Sequence, residues 1–288
     1  MIEQTEFVSL NGSILPAEEA LIPAHTSGIY YGAGCFETFK ADENRIFKFK
    51  EHVDRLNAGL IYLGVGQDRL IQPDELREKV STLLTQNRLD QRAAKVRIQV
   101  SLAEVNGYSE EESPNLIHFI TAAEIDSKRT PVNLTVVSTR VVPSVSRPAH
   151  LKLSNMLHYR NAWREAKKSG ADDALMLTVN GNIAETAIGN LFWKEGRTIY
   201  TPSTHCDILP GIMRNSVIEI ISKMDQFSIK EGEYSLDKIK QADFVWMTNS
   251  VAEILPVHQI DNIQYSPANS FHEKLTKLFH HFKAGHLS

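Results

Sequence analysis

Much of this chain alternates apolar and polar residues with a period of two. Stretches with apolar residues three and four apart interrupt that alternation, and Asn-Gly and Glu-Gly pairs punctuate it. Residues 7–10 and 13–15 flank Asn11-Gly12, a strong short-range hairpin signal. Glycines 28, 32 and 34 break any helix in IPAHTSGIYYGAGCFETFKA. Beyond them residues 35–40 read as a strand, 42–44 as a turn and 46–49 as the returning strand. Residues 51–64 predict a helix with Val53, Leu56, Leu60 and Leu63 on one face, and 73–87 a second amphipathic helix. Alternation returns over 94–102, with Val96, Ile98 and Val100 on one side; 106–115 is polar and turn-rich, and 116–123 is a further strand.

A short charged stretch ending at Pro131 predicts a linker at 127–131. It separates a small N-terminal domain, 1–126, from a larger C-terminal domain, 132–288. In the second domain, 132–142 is a strand and 155–169 a helix ended by Gly170. Residues 174–179 and 182–185 flank Asn180-Gly181, and 191–193 and 198–201 flank Glu195-Gly196, giving two more hairpins. Residues 212–224 are helical, 244–248 a strand followed by a tight turn at 249–251, and 270–282 a closing helix. Helices and hairpins alternate without regular strand–helix–strand spacing. The expected class is therefore α/β in the broad sense, two α+β domains on antiparallel or mixed sheets, and a cleft between two such domains is a common ligand location.

Composition narrows the function. The 288 residues are 42% hydrophobic and 23% charged with net charge −4, which argues against a nucleic-acid or anionic-membrane partner. Two cysteines, Cys35 and Cys206, fit a reducing compartment without a disulfide. The acidic N-terminus lacks an apolar core, so no signal peptide is expected, and no apolar run approaches the roughly 20 residues of a membrane span. A cytoplasmic protein is the expectation.

Several residues carry candidate chemistry. Lys152 sits between leucines in LKLSN; an amine held against apolar groups has a depressed pKa and can form a Schiff base. Glu185 lies in the uncharged run IAETAI, where an anion could keep a pyridine nitrogen protonated. Gly211 opens an apolar helix whose first amides, at Ile212 and Met213, offer a phosphate seat. Arg55 lies in EHVDRL, where by itself it would pair with Glu51 at i−4, and Ser250 could add a hydroxyl to the same phosphate. There is no dinucleotide fingerprint, Walker loop, GxSxG elbow or zinc spacing.

Together these stretches resemble the class IV aminotransferase family, the fold-type IV pyridoxal phosphate enzymes. The family includes branched-chain and D-amino-acid aminotransferases and 4-amino-4-deoxychorismate lyases. YGAGCFET is similar to its first-domain signature and EHVDRL to its phosphate-arginine helix. GADDALML, NGNIAET, GNLFW, TP, ILPGIMR and TNSVAEILPV follow in order over nearly the whole chain. The resemblance implies a two-domain D-amino-acid aminotransferase-like fold with pyridoxal 5'-phosphate in the interdomain cleft, and a homodimer whose second subunit completes the pocket. It also implies roles. Lys152 aligns with the Schiff-base lysine and general acid/base, and Glu185 with the ring-nitrogen partner. Arg55, Ile212, Met213 and Ser250 align with the phosphate cradle. The 249–251 turn, through Asn249 and Val251, faces a substrate carboxylate, and Tyr31 lies in a substrate loop. The substrate is a small amino-carboxylate.

Local similarities divide the reaction. Many aminotransferases of the family carry tyrosine four or five residues after the lysine; here Met156-Leu157 stands there, and the next tyrosine is Tyr159. The K-x-x-N-x-L spacing, GNLFW, and Thr38 after Phe36-Glu37 resemble the lyases, in which a threonine relays a proton. Residues 103–108 lack the extra arginine of some lyases, and Tyr30-Tyr31 resemble aminotransferases. The favoured reading is a lyase releasing pyruvate and 4-aminobenzoate in the folate route. The alternative is an aminotransferase of branched-chain or D-amino acids with a 2-oxo acid acceptor.

Overall fold

The computed structural model describes residues 6–104, 115–125, 130–266 and 270–288. The chain forms two compact units. The first is Met1–Ser127 with Leu151–Asn155 and His286–Ser288; the second is Lys128–His150 with Met156–Gly285. The linear division at 127–131 assigned Leu151–Asn155 and His286–Ser288 to the second domain, whereas by packing both go with the first. Most of the expected linker, and all but one residue of the polar stretch at 106–115, lie outside the described residues.

In the first unit the strands are β1 (Phe7–Leu10), β2 (Ser13–Pro16), β3 (Gly34–Asp42), β4 (Arg45–Ile46), β5 (Ala93–Leu102) and β6 (Leu116–Glu124). They form one antiparallel sheet in the order β2-β1-β6-β5-β3-β4. Its helices are α1 (Ser27–Tyr30), α2 (Phe49–Tyr62) and α3 (Pro73–Gln86). The expected hairpin turn forms with Asn11 at φ 51° and Gly12 at φ 89°, the left-handed pair such a turn requires. The strand expected at 46–49 does not form beyond Ile46. Lys48 is left-handed at φ 49°, and α2 starts at Phe49. The chain end takes the vacated pairing, since Ile46 and Lys48 donate to the carbonyls of Ser288 and His286. The apolar faces of α2 and α3, including Leu56, Leu60, Val80 and Leu84, bury against Phe39, Val96 and Ile98.

The second unit holds β7 (Val132–Arg140), β8 (Asp173–Leu177), β9 (Ile183–Thr186), β10 (Asn190–Glu195), β11 (Thr198–Pro202), β12 (Ser228–Gly232), β13 (Phe244–Asn249), β14 (Glu253–Ile260) and β15 (Ile263–Gln264). Its helices are α4 (Leu157–Lys168), α5 (Ile212–Ser222), α6 (Leu236–Ile239) and α7 (Ser270–Ala284). The sheet is mixed: β11–β12, β14–β7 and β7–β8 pair in parallel. Strand β8 reads DALML without alternation because both its faces are covered. Leu175 and Leu177 pack with Trp193 and Val245, while Ala174 and Met176 pack with Tyr159 and Ala162. Among the described residues no helix is long and apolar enough to cross a membrane.

Gly59 lets α2 approach β3 closely. A Cβ at that position would lie 2.8 Å from the Cys35 Cβ and 3.9 Å from Leu153 Cδ2. Alanine gains about 1 kcal/mol in helix propensity, but overpacking costs about 1–3 kcal/mol. Gly59→Ala should therefore lower the thermal unfolding midpoint. A midpoint above that of the wild type would show that helix and strand part without cost.

Candidate active site

Alternation along β3 places Cys35, Phe39 and Ala41 in the core and Phe36, Thr38 and Lys40 on the opposite face. Glu37 shares the core face and is 0% exposed. A carboxylate there needs partners, and α2 supplies them from one face, three residues apart. His52 Nδ1 lies 2.7 Å from Glu37 Oε2, and because an ionised carboxylate only accepts, that nitrogen carries the proton. Arg55 donates Nε–H to Oε1 at 2.6 Å and Nη2–H to Oε2 at 2.8 Å, a two-pronged pairing that fixes the guanidinium plane. Burial by itself would raise the Glu37 pKa; Arg55 and the hydrogen bonds outweigh it and hold the group at about 2. Burial keeps His52 neutral. Glu37, and not the Glu51 that Arg55 would pair with if its helix stood alone, is therefore the carboxylate that orients Arg55.

The segment Leu151–Asn155 runs along β3 in the same period of two. Phe36 donates its N–H to Lys152 O, Ser154 donates to Gly34 O, and Cys35 bridges Leu153. Leu151 and Leu153 enter the core, which turns Lys152 and Ser154 to the other side. There the Lys152 Nζ lies 4.6 Å from the Phe36 ring centroid and the Arg97 guanidinium carbon 3.9 Å from the same centroid. Thr38 sits directly across from Arg97 in the β3–β5 register and shares this face. Gln99 Nε2 donates to Ser154 Oγ at 2.5 Å. Gly34 is required because a Cβ would come within 2.5 Å of the Val100 carbonyl. Tyr31 is 48% exposed, its ring edge-on to Tyr30.

In the second unit Glu185 is 4% exposed on β9. Its Oε1 accepts from Tyr159 OH at 2.5 Å, and its Oε2 from Asn190 Nδ2 at 3.0 Å. The Leu209 N–H is shared between the two oxygens at 3.2 and 3.3 Å. Asn190 Nδ2 also donates to Leu209 O at 2.8 Å, which clamps the loop ahead of α5. Gly211 caps that helix without a side chain, and a Cβ there would lie 2.2 Å from Asn190 Oδ1. The first amides of α5, at Ile212 and Met213, precede the first intrahelical bond, Asn215 N–H to Gly211 O. Asn190 pairs with Thr248 across β10–β13, and the buried Thr248 Oγ1 has no hydrogen-bond partner among the described residues. The turn after Thr248 is closed by Asn249 Oδ1, which accepts from the amides of Val251 and Ala252 at 3.0 and 2.7 Å. Ser250 lies in that turn.

The first unit thus brings Lys152 and Thr38 onto one sheet face and holds Arg55 on Glu37. In the second unit Asn190 ties Glu185 to the start of α5 and to the strand that leads into 249–251. Glu37, His52, Phe36, Arg97, Tyr159 and Asn190 were not expected as site residues. The only advance signals were the position of Glu37 in a core-facing register and the presence of Asn190 in GNLFW. The stretch 103–108, where some lyases carry an extra arginine, falls outside the described residues from 105 onward.

The amino-transferase class IV family model matches residues 34–260. An aminodeoxychorismate lyase of Bacillus subtilis is 30% identical over 264 residues, covering 90% of this chain and 88% of that protein. A probable branched-chain-amino-acid aminotransferase of Rickettsia felis is 28% identical over 255 residues, covering 88% and 87%. Among solved structures, the T.th. branched-chain amino acid aminotransferase complexed with N-(5'-phosphopyridoxyl)-L-glutamate superposes with TM-score 0.86. It is 26% identical, over 99% of this chain and 98% of that one.

Glu37 gives a pH-dependent test. Its folded pKa, about 2, lies below the ordinary value of 4.5, so its stabilisation is complete above pH 4.5 and is lost as pH falls toward 2. Glu37→Gln removes the buried negative charge that Arg55 and His52 meet and should cost about 3 kcal/mol at neutral pH. In denaturant titrations the gap to wild type should narrow between pH 4.5 and 2; a gap that stays constant over that range would refute the charged pairing.

Proposed function

The chain belongs to the class IV aminotransferases, which are pyridoxal phosphate-dependent enzymes, and we propose that within that family it is a 4-amino-4-deoxychorismate lyase, releasing pyruvate and 4-aminobenzoate. The observation that carries this reading is Thr38, which shares a sheet face with Lys152 through the alternation of β3 and the bridge from Cys35 to Leu153. The B. subtilis lyase, similar over nearly its whole length, supports it. So does Tyr159: its hydroxyl is engaged to Glu185, so it does not take the part of the tyrosine that follows the lysine in many aminotransferases.

The residues present fit the cofactor. A buried, oriented anion at Glu185 suits a protonated ring nitrogen, and the start of α5 and Arg55 suit a phosphate. The hydroxyl of Thr248, buried without a hydrogen-bond partner among the described residues beside the 249–251 turn, supports a polar ligand there. When bound, pyridoxal phosphate supplies an electron sink for the charge left on carbon as a proton departs. Lys152 is the residue we assign to carry it and to act as base and acid. Glu185 holds the nitrogen proton, and Arg55, the Ile212 and Met213 amides and Ser250 hold the phosphate. The Lys152 amine takes the proton from the amino-bearing ring carbon. The C–O bond to the enolpyruvyl group then breaks and the ring becomes aromatic. The three-carbon unit gains a proton at its methylene carbon, relayed from the Lys152 ammonium through the Thr38 hydroxyl, and leaves as pyruvate. Tyr31, Asn249 and Val251 complete the substrate side; because the Val251 amide is bonded to Asn249 Oδ1, it can serve a carboxylate only if Asn249 rotates away.

The second reading, amino-group exchange with a 2-oxo acid, is favoured by the branched-chain relatives. Holoenzyme given aminodeoxychorismate without any oxo acid should release pyruvate and 4-aminobenzoate over many turnovers. Thr38→Ala should slow that release about 100-fold, and Lys152→Ala should lose the visible band of the resting holoenzyme. No release, combined with turnover of amino acids, would make the protein a transaminase. We also infer a homodimer, because Leu21, Ile29 and Tyr30 are 82%, 58% and 54% exposed and offer an apolar surface to a second copy. Sedimentation should give twice the chain mass, and a fully active monomer would exclude the partner.

A further inference from the structure

We propose that Tyr159 is a positioning residue: its hydroxyl holds the Glu185 carboxylate in the orientation and charge state that a pyridinium nitrogen needs. The inference rests on the reading of Glu185 as the ring-nitrogen partner. Tyr159, Asn190 and Leu209 direct donors at that carboxylate, and these are unequal. The Leu209 N–H is split between the two oxygens at 3.2 and 3.3 Å, and Asn190 divides its amide between Glu185 and the Leu209 carbonyl. Of these, Tyr159 gives the shortest contact, 2.5 Å to Oε1. The ring of Tyr159 is itself immobilised, 8% exposed among Val137, Val141, Ala162 and Cys206, so the hydroxyl has one place to go.

The direction of this hydrogen bond is set. Burial first, and Glu185 second, push the Tyr159 pKa well above its usual value, so the phenol keeps its proton and donates. Arg147 opposes that shift of the phenol and Asp207 adds to it, and His158 stands beside the phenol at a ring separation of 4.3 Å. His158 is held neutral, at about 4, by burial and by Arg147. A purely packing tyrosine would be replaced by phenylalanine with little consequence for the cofactor. Here the hydroxyl offsets the desolvation of a buried anion, so its loss should move the point at which Glu185 takes up a proton.

Tyr159→Phe keeps the ring and removes the donor. A hydrogen bond to a charged group is worth about one pH unit or more. The acid limb of kcat should rise by about that much, a tenfold loss of rate on the limb, and the pH midpoint of the bound cofactor's visible spectrum should rise with it. Replacing Tyr159 by 3-fluorotyrosine, a stronger donor, should move both downward, and it keeps the test open if the phenylalanine variant misfolds. Glu185→Gln separates the two readings. If that variant keeps the wild-type spectrum and rate, Glu185 is not the nitrogen partner and the premise fails. If it alters both while the two Tyr159 replacements leave limb and spectrum unmoved, the premise stands and the role given to Tyr159 is wrong.

Discussion

A carboxylate taken out of water has to be given donors, and that requirement recurs in both units of this chain. In the first, Glu37 faces the core and is met by His52 and Arg55 from α2. In the second, Glu185 is met by Tyr159, Asn190 and Leu209 from three separate stretches. Each buried acid converts a folding constraint into placement. Glu37 fixes the plane of the arginine proposed for the phosphate, and Glu185 fixes the loop that precedes α5. An apolar side chain at either position would give these donors no acceptor there.

The lysine is placed by a gentler rule. Leu151 and Leu153 are drawn into the core under α2, and strand geometry then leaves Lys152 no choice but the far face, beside Phe36. The same period puts Thr38 and Arg97 on that face. Backbone pairing with β3 and two buried leucines set the direction of its side chain. The arrangement suits a residue proposed to change partner and charge during the reaction, since the neighbouring backbone and leucines fix which face it occupies.

The hairpins, helices α2 and α3, the closing helix and the strand β8 were legible because their causes are local; α1, expected to be broken at Gly28, forms one turn instead because Thr26 caps it by accepting from the Ile29 amide. Asn-Gly forces a turn, and apolar spacing chooses helix or strand. The residues aligned with the family were legible for the same reason, each standing in a short motif. What failed at 46–49 was equally physical: the chain end, remote in sequence, pairs with Ile46 and Lys48 and takes the place of the expected strand. A pairing partner more than two hundred residues away leaves no trace in a local window.

By itself, then, the sequence determined the class of fold, most element boundaries to within two or three residues, the family, and the identity of the lysine, glutamate and arginine on which the reading of the site rests. Only the tertiary structure decided who holds them. Arg55 has a near carboxylate at Glu51 on its own helix, yet it bonds Glu37 on β3. Tyr159, noted first for being in the wrong place, turned out to reach Glu185. Leu151–Asn155 left the unit that its position in the chain suggested. The reason is common to all three. Periodicity and motif record which face or turn a residue occupies, whereas the partner of a buried charge is chosen among groups brought together from distant parts of the chain, by whichever satisfies it at least cost in desolvation.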